Sequence, residues 1–187
     1  KHFYDTTLHP DVINLDDARV YKNVFHKGNF VGTFQFTEDG AQSFTQRVKP
    51  NNIIDISAVT STYRPGPLSA GVHEDYIEAK ESPQNIKYLT PEVQEITEET
   101  FGFLIFQEQI AKIAHALGKD LSLDEGNLLR KLLTKKGTGK GFEVKDAIHK
   151  KFITGCVEKG IANREAQALW EKFEYFSGYG FNKSHAV

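Results

Sequence analysis

The sequence predicts a mainly α fold, a multi-helix domain with at most a few short strands. Three observations predict it: apolar residues recur at three- and four-residue steps, capping residues stand ahead of those runs, and only two short segments read as strands. In chain order, Asp16 and Asp17 are read as the N-terminal cap of a helix reaching Phe25. Adjacent carboxylates on a helix point about 100° apart and seldom share a cation. Gly32–Phe36 is the first strand candidate, and helices over Asp39–Val48, Ile53–Thr62 and Leu68–Lys80 follow. Thr90 and Pro91 place an N-cap before a proline at the first helical position, opening a short acidic helix. Gly102–Phe106 is the second strand candidate. From Gln107 to Leu117 the residues Ile110, Ile113, Ala114 and Leu117 share one helical stripe, and Gly118 stands at the C-cap position. Ser122 and Glu125 form a capping-box pattern ahead of Leu128, Leu129, Leu132 and Leu133, so that helix carries Arg130 and Lys131 on or beside its apolar stripe. Phe142–Lys159 and Arg164–Phe176 complete the set. The one segment with the composition of a mobile loop is Lys136–Gly141.

Composition bounds the class. The chain has 187 residues, 39% hydrophobic and 26% charged. A chain of that length buries roughly 70% of its unfolded surface, so one domain, with room for a subdomain, needs no disulfide or metal support. The apolar run Phe103–Phe106 stops after four residues, far short of the ~20 a bilayer span requires, so no membrane is expected. The single Cys156 has no partner within the chain, which fits a reducing compartment and a cytoplasmic location. The chain starts at Lys1 and holds no methionine, so it is expected to be a piece of a longer protein.

The net charge of -2 conceals a segregation: Arg130–Lys151 holds eight basic and two acidic residues, a local +6 that leaves -8 for the remainder. Two acidic stretches, Glu74–Glu81 and Glu92–Glu99, supply much of that. One concentrated basic segment on an acidic domain suits a protein that meets phosphates at one place. A solvated helix face with a lysine-rich loop accounts for the same pattern.

Several chemistries lack a signature. The seven histidines form no H-E-x-x-H motif and Cys156 has no spaced partners, which argues against zinc. No G-x-S-x-G elbow is present, and Gly139-Lys140-Gly141 departs from a phosphate loop, which needs Ser or Thr after the lysine. Three segments exceed what generic helices and loops require: Tyr63-Arg64-Pro65-Gly66-Pro67, Phe106-Gln107-Glu108-Gln109, and Gly178–His185. Two prolines rigidify the first, presenting Arg64 to a planar or anionic partner. The last sets an aromatic turn beside Asn182, Lys183, Ser184 and His185, four polar residues suited to phosphate or sugar oxygens. Asn182 or Ser184 could equally be the N-cap of a helix.

These segments, in order with Leu15-Asp16-Asp17, Thr33–Phe36, Lys49-Pro50, Phe101-Gly102 and Leu128–Lys131, make the chain resemble the fingers region of bacterial DNA polymerase III alpha subunits, the C-family replicative polymerases. The resemblance spans nearly the whole chain. It implies a fingers fragment over residues 1–187, with 1–30 as a connection from the palm. The palm aspartates that hold two Mg²⁺ ions are absent from the chain, so the isolated piece is expected to be inactive. Helix-hairpin-helix and clamp-binding parts would follow Val187.

The same resemblance implies site roles. Arg130 and Lys131 occupy the family's paired basic position, usually two arginines, and would approach the β and γ phosphates of the incoming deoxynucleoside triphosphate. Lysine there keeps the charge but loses the planar fork. Lys135, Lys136 and Lys140 would meet the template-primer backbone. Lys183 and His185, with Asn182 and Ser184, form a second nucleotide contact. Arg64 would either orient the base-pair platform or brace the fingers through a salt bridge. The implied partners are template-primer DNA, nucleotide, the rest of the polymerase and a sliding clamp. A helical nucleic-acid-binding or scaffold module without nucleotide chemistry is the alternative.

Overall fold

The computed structural model describes residues 9, 12–69, 71–134, 140–177 and 180–187. Among them no strand forms, and the architecture is mainly α, as the periodicities predict. No described helix is long and apolar enough to cross a membrane. The chain divides into two compact units, Lys1–Ile56 and Ser57–Val187.

The first unit is built on aromatic packing. Helix α1 (Ala18–Val20) opens on Asp17, whose carboxylate accepts from the Arg19 N–H at 2.9 Å. Hydrogen bonding to the Arg19 side chain holds that carboxyl down at about 2. The helix continues as a π-helical turn over Tyr21–His26. Helix α2 (Asp39–Val48) ends where Lys49 turns left-handed, φ 50°, ahead of Pro50. Buried Phe25, Phe30 and Phe36 form the centre, with the Phe30 and Phe36 rings stacked at 5.6 Å. The predicted strand Gly32–Phe36 does not form. Gly32 (φ 80°) and Gln35 (φ 64°) adopt left-handed conformations, which turn the chain and cannot continue a pleated strand.

Helix α3 (Ile53–Thr62) leads into α4 (Pro65–Ser69) and α5 (Val72–Glu81). The sequence predicts one helix over Leu68–Lys80. The break falls at Gly71, φ 74°, which serves as the α5 N-cap in a conformation glycine adopts without steric cost. Helix α6 (Pro91–Thr97) begins on the predicted cap, Thr90 Oγ1 accepting from the Val93 N–H at 3.2 Å. Helix α7 (Gln107–Leu117) has the predicted bounds and inserts Ile110, Ile113, Ala114 and Leu117 into the core of the second unit. Helix α8 (Leu123–Thr134) carries the predicted capping box: the Ser122 N–H donates to Glu125 Oε2 at 2.8 Å and the Glu125 N–H to Ser122 Oγ at 3.2 Å.

Helix α9 (Lys140–Glu158) adds Ile148, Phe152 and Cys156 to that core, and α10 (Asn163–Ser177) adds Ala166, Trp170 and Phe173. Burial pushes the Cys156 thiol up to about 11, which keeps it protonated and unreactive near neutral pH. Helix α9 meets the α7–α8 turn at backbone distance. The Lys119 N–H donates to Lys151 O at 3.0 Å, and a Cβ on Gly155 would lie 2.2 Å from Lys119 N. The short helix α11 (Lys183–Ala186) closes the chain, capped by Asn182, whose side chain accepts from the His185 N–H.

Candidate functional site

The Phe106–Gln109 segment is a junction between two distant parts of the second unit. The second strand candidate, Gly102–Phe106, forms no strand; it contributes a single parallel bridge between Phe106 and Phe181. The Phe181 N–H donates to Ile105 O at 3.1 Å and the Gln107 N–H to Phe181 O at 2.9 Å. Buried Gln109 holds the other side of this extended stretch, its Oε1 accepting from the N–H groups of Ile105 at 2.9 Å and Phe106 at 3.0 Å. Its Nε2 donates to Thr100 Oγ1 at 2.7 Å. A buried amide that satisfies two backbone N–H groups fixes the start of α7 and, through the bridge, the turn that carries Lys183.

Gln107 and Glu108 then tie that turn to α8. Gln107 Nε2 donates to Gly180 O at 2.9 Å while its Oε1 accepts from Arg130 Nη1 at 3.3 Å. Glu108 Oε2 accepts from the Lys183 N–H at 3.1 Å, and its Oε1 lies 3.9 Å from Arg130 Nη1. Asn127 accepts from Arg130 Nε at 3.1 Å, so the guanidinium is held on two sides. One carboxylate therefore touches both elements that carry the two principal cations. Lys183 Nζ reaches the Glu99 oxygens at 2.7 and 2.6 Å and lies 5.6 Å from the Phe106 ring centroid.

Arg64 is exposed on its proline turn, with its guanidinium 5.3 Å from the Phe181 ring centroid. The Phe181 and His185 rings lie 5.5 Å apart. Arg64, Phe181 and His185 thus form a stack beside the Lys183 turn, and the contact Arg64 makes there is with an aromatic face. Asn182 is a helix cap and its Oδ1 also accepts from Ser184 Oγ at 2.5 Å; both side chains are occupied locally. Arg130, Lys183, His185 and Arg64 share one frame, and exposed Lys131 follows Arg130 on α8. Lys135 and Lys136 lie outside the described residues, as does the side chain of Lys140.

The basic segment is less available than its charge suggests. Lys145 pairs with Glu174 at 2.6 Å, Lys150 with Asp146 at 2.7 Å and Lys151 with Glu125 at 2.6 Å. Hydrogen bonding to Lys151 lowers the Glu125 carboxyl, and hydrogen bonding to Lys150 lowers that of Asp146. Gln107 and Glu108 belong to a segment whose specificity stood out in the sequence, although nothing there assigned them a part. Glu99 carried no signal beyond its acidic neighbours. Among the described residues no group of three His, Cys, Asp or Glu could hold a metal ion.

The sequence model of the family described as "Bacterial DNA polymerase III alpha subunit finger domain" matches residues 1–160. The chain is 38% identical over 173 residues to the DNA polymerase III subunit alpha of Aquifex aeolicus, an alignment covering 92% of this chain and 14% of the relative. It is 34% identical over 187 residues to the corresponding subunit of Campylobacter jejuni, covering 100% and 15%. For Halalkalibacterium halodurans the figures are 37% over 184 residues, 98% and 16%. The chain thus spans a small fraction of the length of the curated relatives it matches.

Proposed function

Because the chain belongs to the bacterial DNA polymerase III alpha subunit finger-domain family, we propose that its second unit grips the triphosphate of an incoming deoxynucleotide within a template-directed replicative polymerase. The observation that carries this reading is the Glu108 carboxylate, which touches Arg130 Nη1 at 3.9 Å and the Lys183 N–H at 3.1 Å. That carboxylate ties α8, which carries Arg130, to the backbone of the turn that carries Lys183, while the Lys183 ammonium itself faces Glu99. Nucleotidyl transfer breaks the bond between the α and β phosphates, and negative charge develops on the departing pyrophosphate. A pre-positioned guanidinium favours that charge more than the ground state, because it needs no reorganisation as the bond breaks. Arg130 has the geometry for this role, with Gln107 and Asn127 setting its orientation. Lys183 and Lys131 add charge nearby, and His185 with Arg64 offers a stacked face beside them.

The Mg²⁺ ligands are proposed to be palm carboxylates outside this chain, and no step of the reading runs through metal here. The chain alone is accordingly expected to incorporate no nucleotide. Residues 1–30 are proposed as the connection from palm to fingers. Lys135, Lys136 and Lys140 are proposed to meet the template-primer backbone, with a sliding clamp held by other parts of the polymerase.

Steady-state kinetics on the full polymerase carrying Arg130→Ala or Lys183→Ala, with nucleotide and DNA varied separately, tests this. Loss of nucleotide kcat/KM at unchanged DNA affinity is expected for both. Loss of DNA affinity with normal nucleotide parameters would indicate a nucleic-acid-binding module instead.

A further inference from the structure

We propose that Glu99 is a placeholder anion: its carboxylate occupies the Lys183 ammonium until nucleotide phosphate takes its place, and so sets which anions the site admits. This rests on the reading that Lys183 meets the nucleotide. Both Glu99 oxygens lie within 2.7 Å of Lys183 Nζ, and among the described residues that ammonium is the carboxylate's one partner. Glu99 therefore differs from Glu108, which holds a backbone N–H and a guanidinium, and from Gln109, which satisfies buried backbone groups. It caps nothing and its removal leaves no buried donor unsatisfied.

The pair is built to exchange. The Lys183 and Glu99 side chains are 32% and 35% exposed, a setting in which an ion pair contributes little and solvent competes for both partners. Beneath the ammonium lies the ring of Phe106, 5.6 Å away and 1% exposed, fixed by its bridge to Phe181. A cation over an aromatic face keeps its place when the carboxylate leaves. A triphosphate, carrying several charges and many acceptor oxygens, displaces a single carboxylate, whereas inorganic phosphate and pyrophosphate compete less well. The placeholder thus discriminates against free anions at the expense of some nucleotide affinity.

The test is Glu99→Gln, which keeps side-chain shape and removes the charge, in the full polymerase with saturating template-primer. Given the strength of exposed pairs, nucleotide KM is expected to fall by about twofold and the inhibition constant of added pyrophosphate by up to about fivefold, so that the preference for triphosphate shrinks. In a Lys183→Ala background the same substitution is expected to change neither. An unchanged or raised KM, or an effect that persists without Lys183, would overturn the proposal, since a merely structural bond between the turn and the 98–100 segment would weaken nucleotide binding when broken. The underlying reading fails separately: Lys183→Ala would then leave nucleotide KM and kcat at the wild-type values, which removes the basis of the placeholder as well.

Discussion

Substituting Gln109 with leucine removes the amide that holds the start of α7 against the 180–186 turn. Gln109 is 3% exposed, and its Oε1 accepts from two backbone N–H groups whose residues, Ile105 and Phe106, are themselves buried. Leucine fills most of the space but accepts nothing, so both donors lose their partner in a site water does not reach. An orphaned buried donor costs about 1–3 kcal/mol, so two cost about 2–6 kcal/mol, and the apolar gain from leucine offsets a small part. A loss of about 3 kcal/mol is expected, a large share of the 5–15 kcal/mol typical of a domain. Urea titration of wild-type and variant chains, followed by far-ultraviolet circular dichroism, reads it as a lower midpoint at unchanged slope. A loss below about 1 kcal/mol would refute the reasoning, because those N–H groups would then have other acceptors and Gln109 would not frame the site.

Three further outcomes follow from the same contacts. Gly155→Ala would place a Cβ 2.2 Å from Lys119 N and 2.3 Å from Leu117 O, both backbone atoms; a destabilisation of about 3 kcal/mol, at the upper end of overpacking costs, is expected in thermal melts, and an unchanged melt would contradict the α9 approach. The Glu125 carboxyl is lowered mainly by its hydrogen bond to Lys151, so the stability it contributes is complete above the ordinary glutamate value and is lost as pH falls through the lowered one. Stability curves of wild type and Lys151→Ala should therefore converge on acidification, and a gap that stays constant down to pH ~3 would argue against that pair. In DNA binding by the full polymerase, alanine at Lys145, Lys150 and Lys151 should leave the salt dependence unchanged, whereas each of Lys135, Lys136 and Lys140 should lower the log–log slope by about 0.9.

What the sequence makes legible here is local chemistry. The Thr90 cap, the Ser122–Glu125 box and both ends of α7 are where short-range patterns place them, because a cap is settled by residues within one helical turn. Backbone handedness is less legible. Gly32–Phe36 has the composition of a strand yet turns at Gln35, a non-glycine residue in a left-handed conformation. The helix expected over Leu68–Lys80 is interrupted at Gly71 for the same geometric reason.

The site divides along the same line. Arg130, Lys183, His185 and Arg64 stood out by residue type and motif; the structure ties Arg130 and the Lys183 turn to Gln107 and Glu108 and sets Arg64 and His185 against Phe181. Of the carboxylates that govern the lysine and its turn, Glu99 did not stand out, and Glu108 did so only as part of its segment, with no partner assigned. Glu99 lies 84 residues and Glu108 75 residues from Lys183 in sequence, beyond the reach of any spacing rule. The basic segment shows the converse error: counting charge over Arg130–Lys151 misses that Glu125 on α8 and Glu174 on α10 neutralise Lys151 and Lys145 across helices.

The most direct test of the nucleotide-gripping assignment is single-turnover incorporation by the full polymerase carrying Arg130→Ala, at saturating template-primer with nucleotide varied. Deleting one pre-positioned electrostatic group is expected to cost about 2–4 kcal/mol of transition-state stabilisation, a rate lower by about 30- to 1000-fold, while the DNA dissociation constant stays at its wild-type value. A variant that incorporates at the wild-type rate with the wild-type nucleotide affinity would contradict the assignment of α8 to the triphosphate.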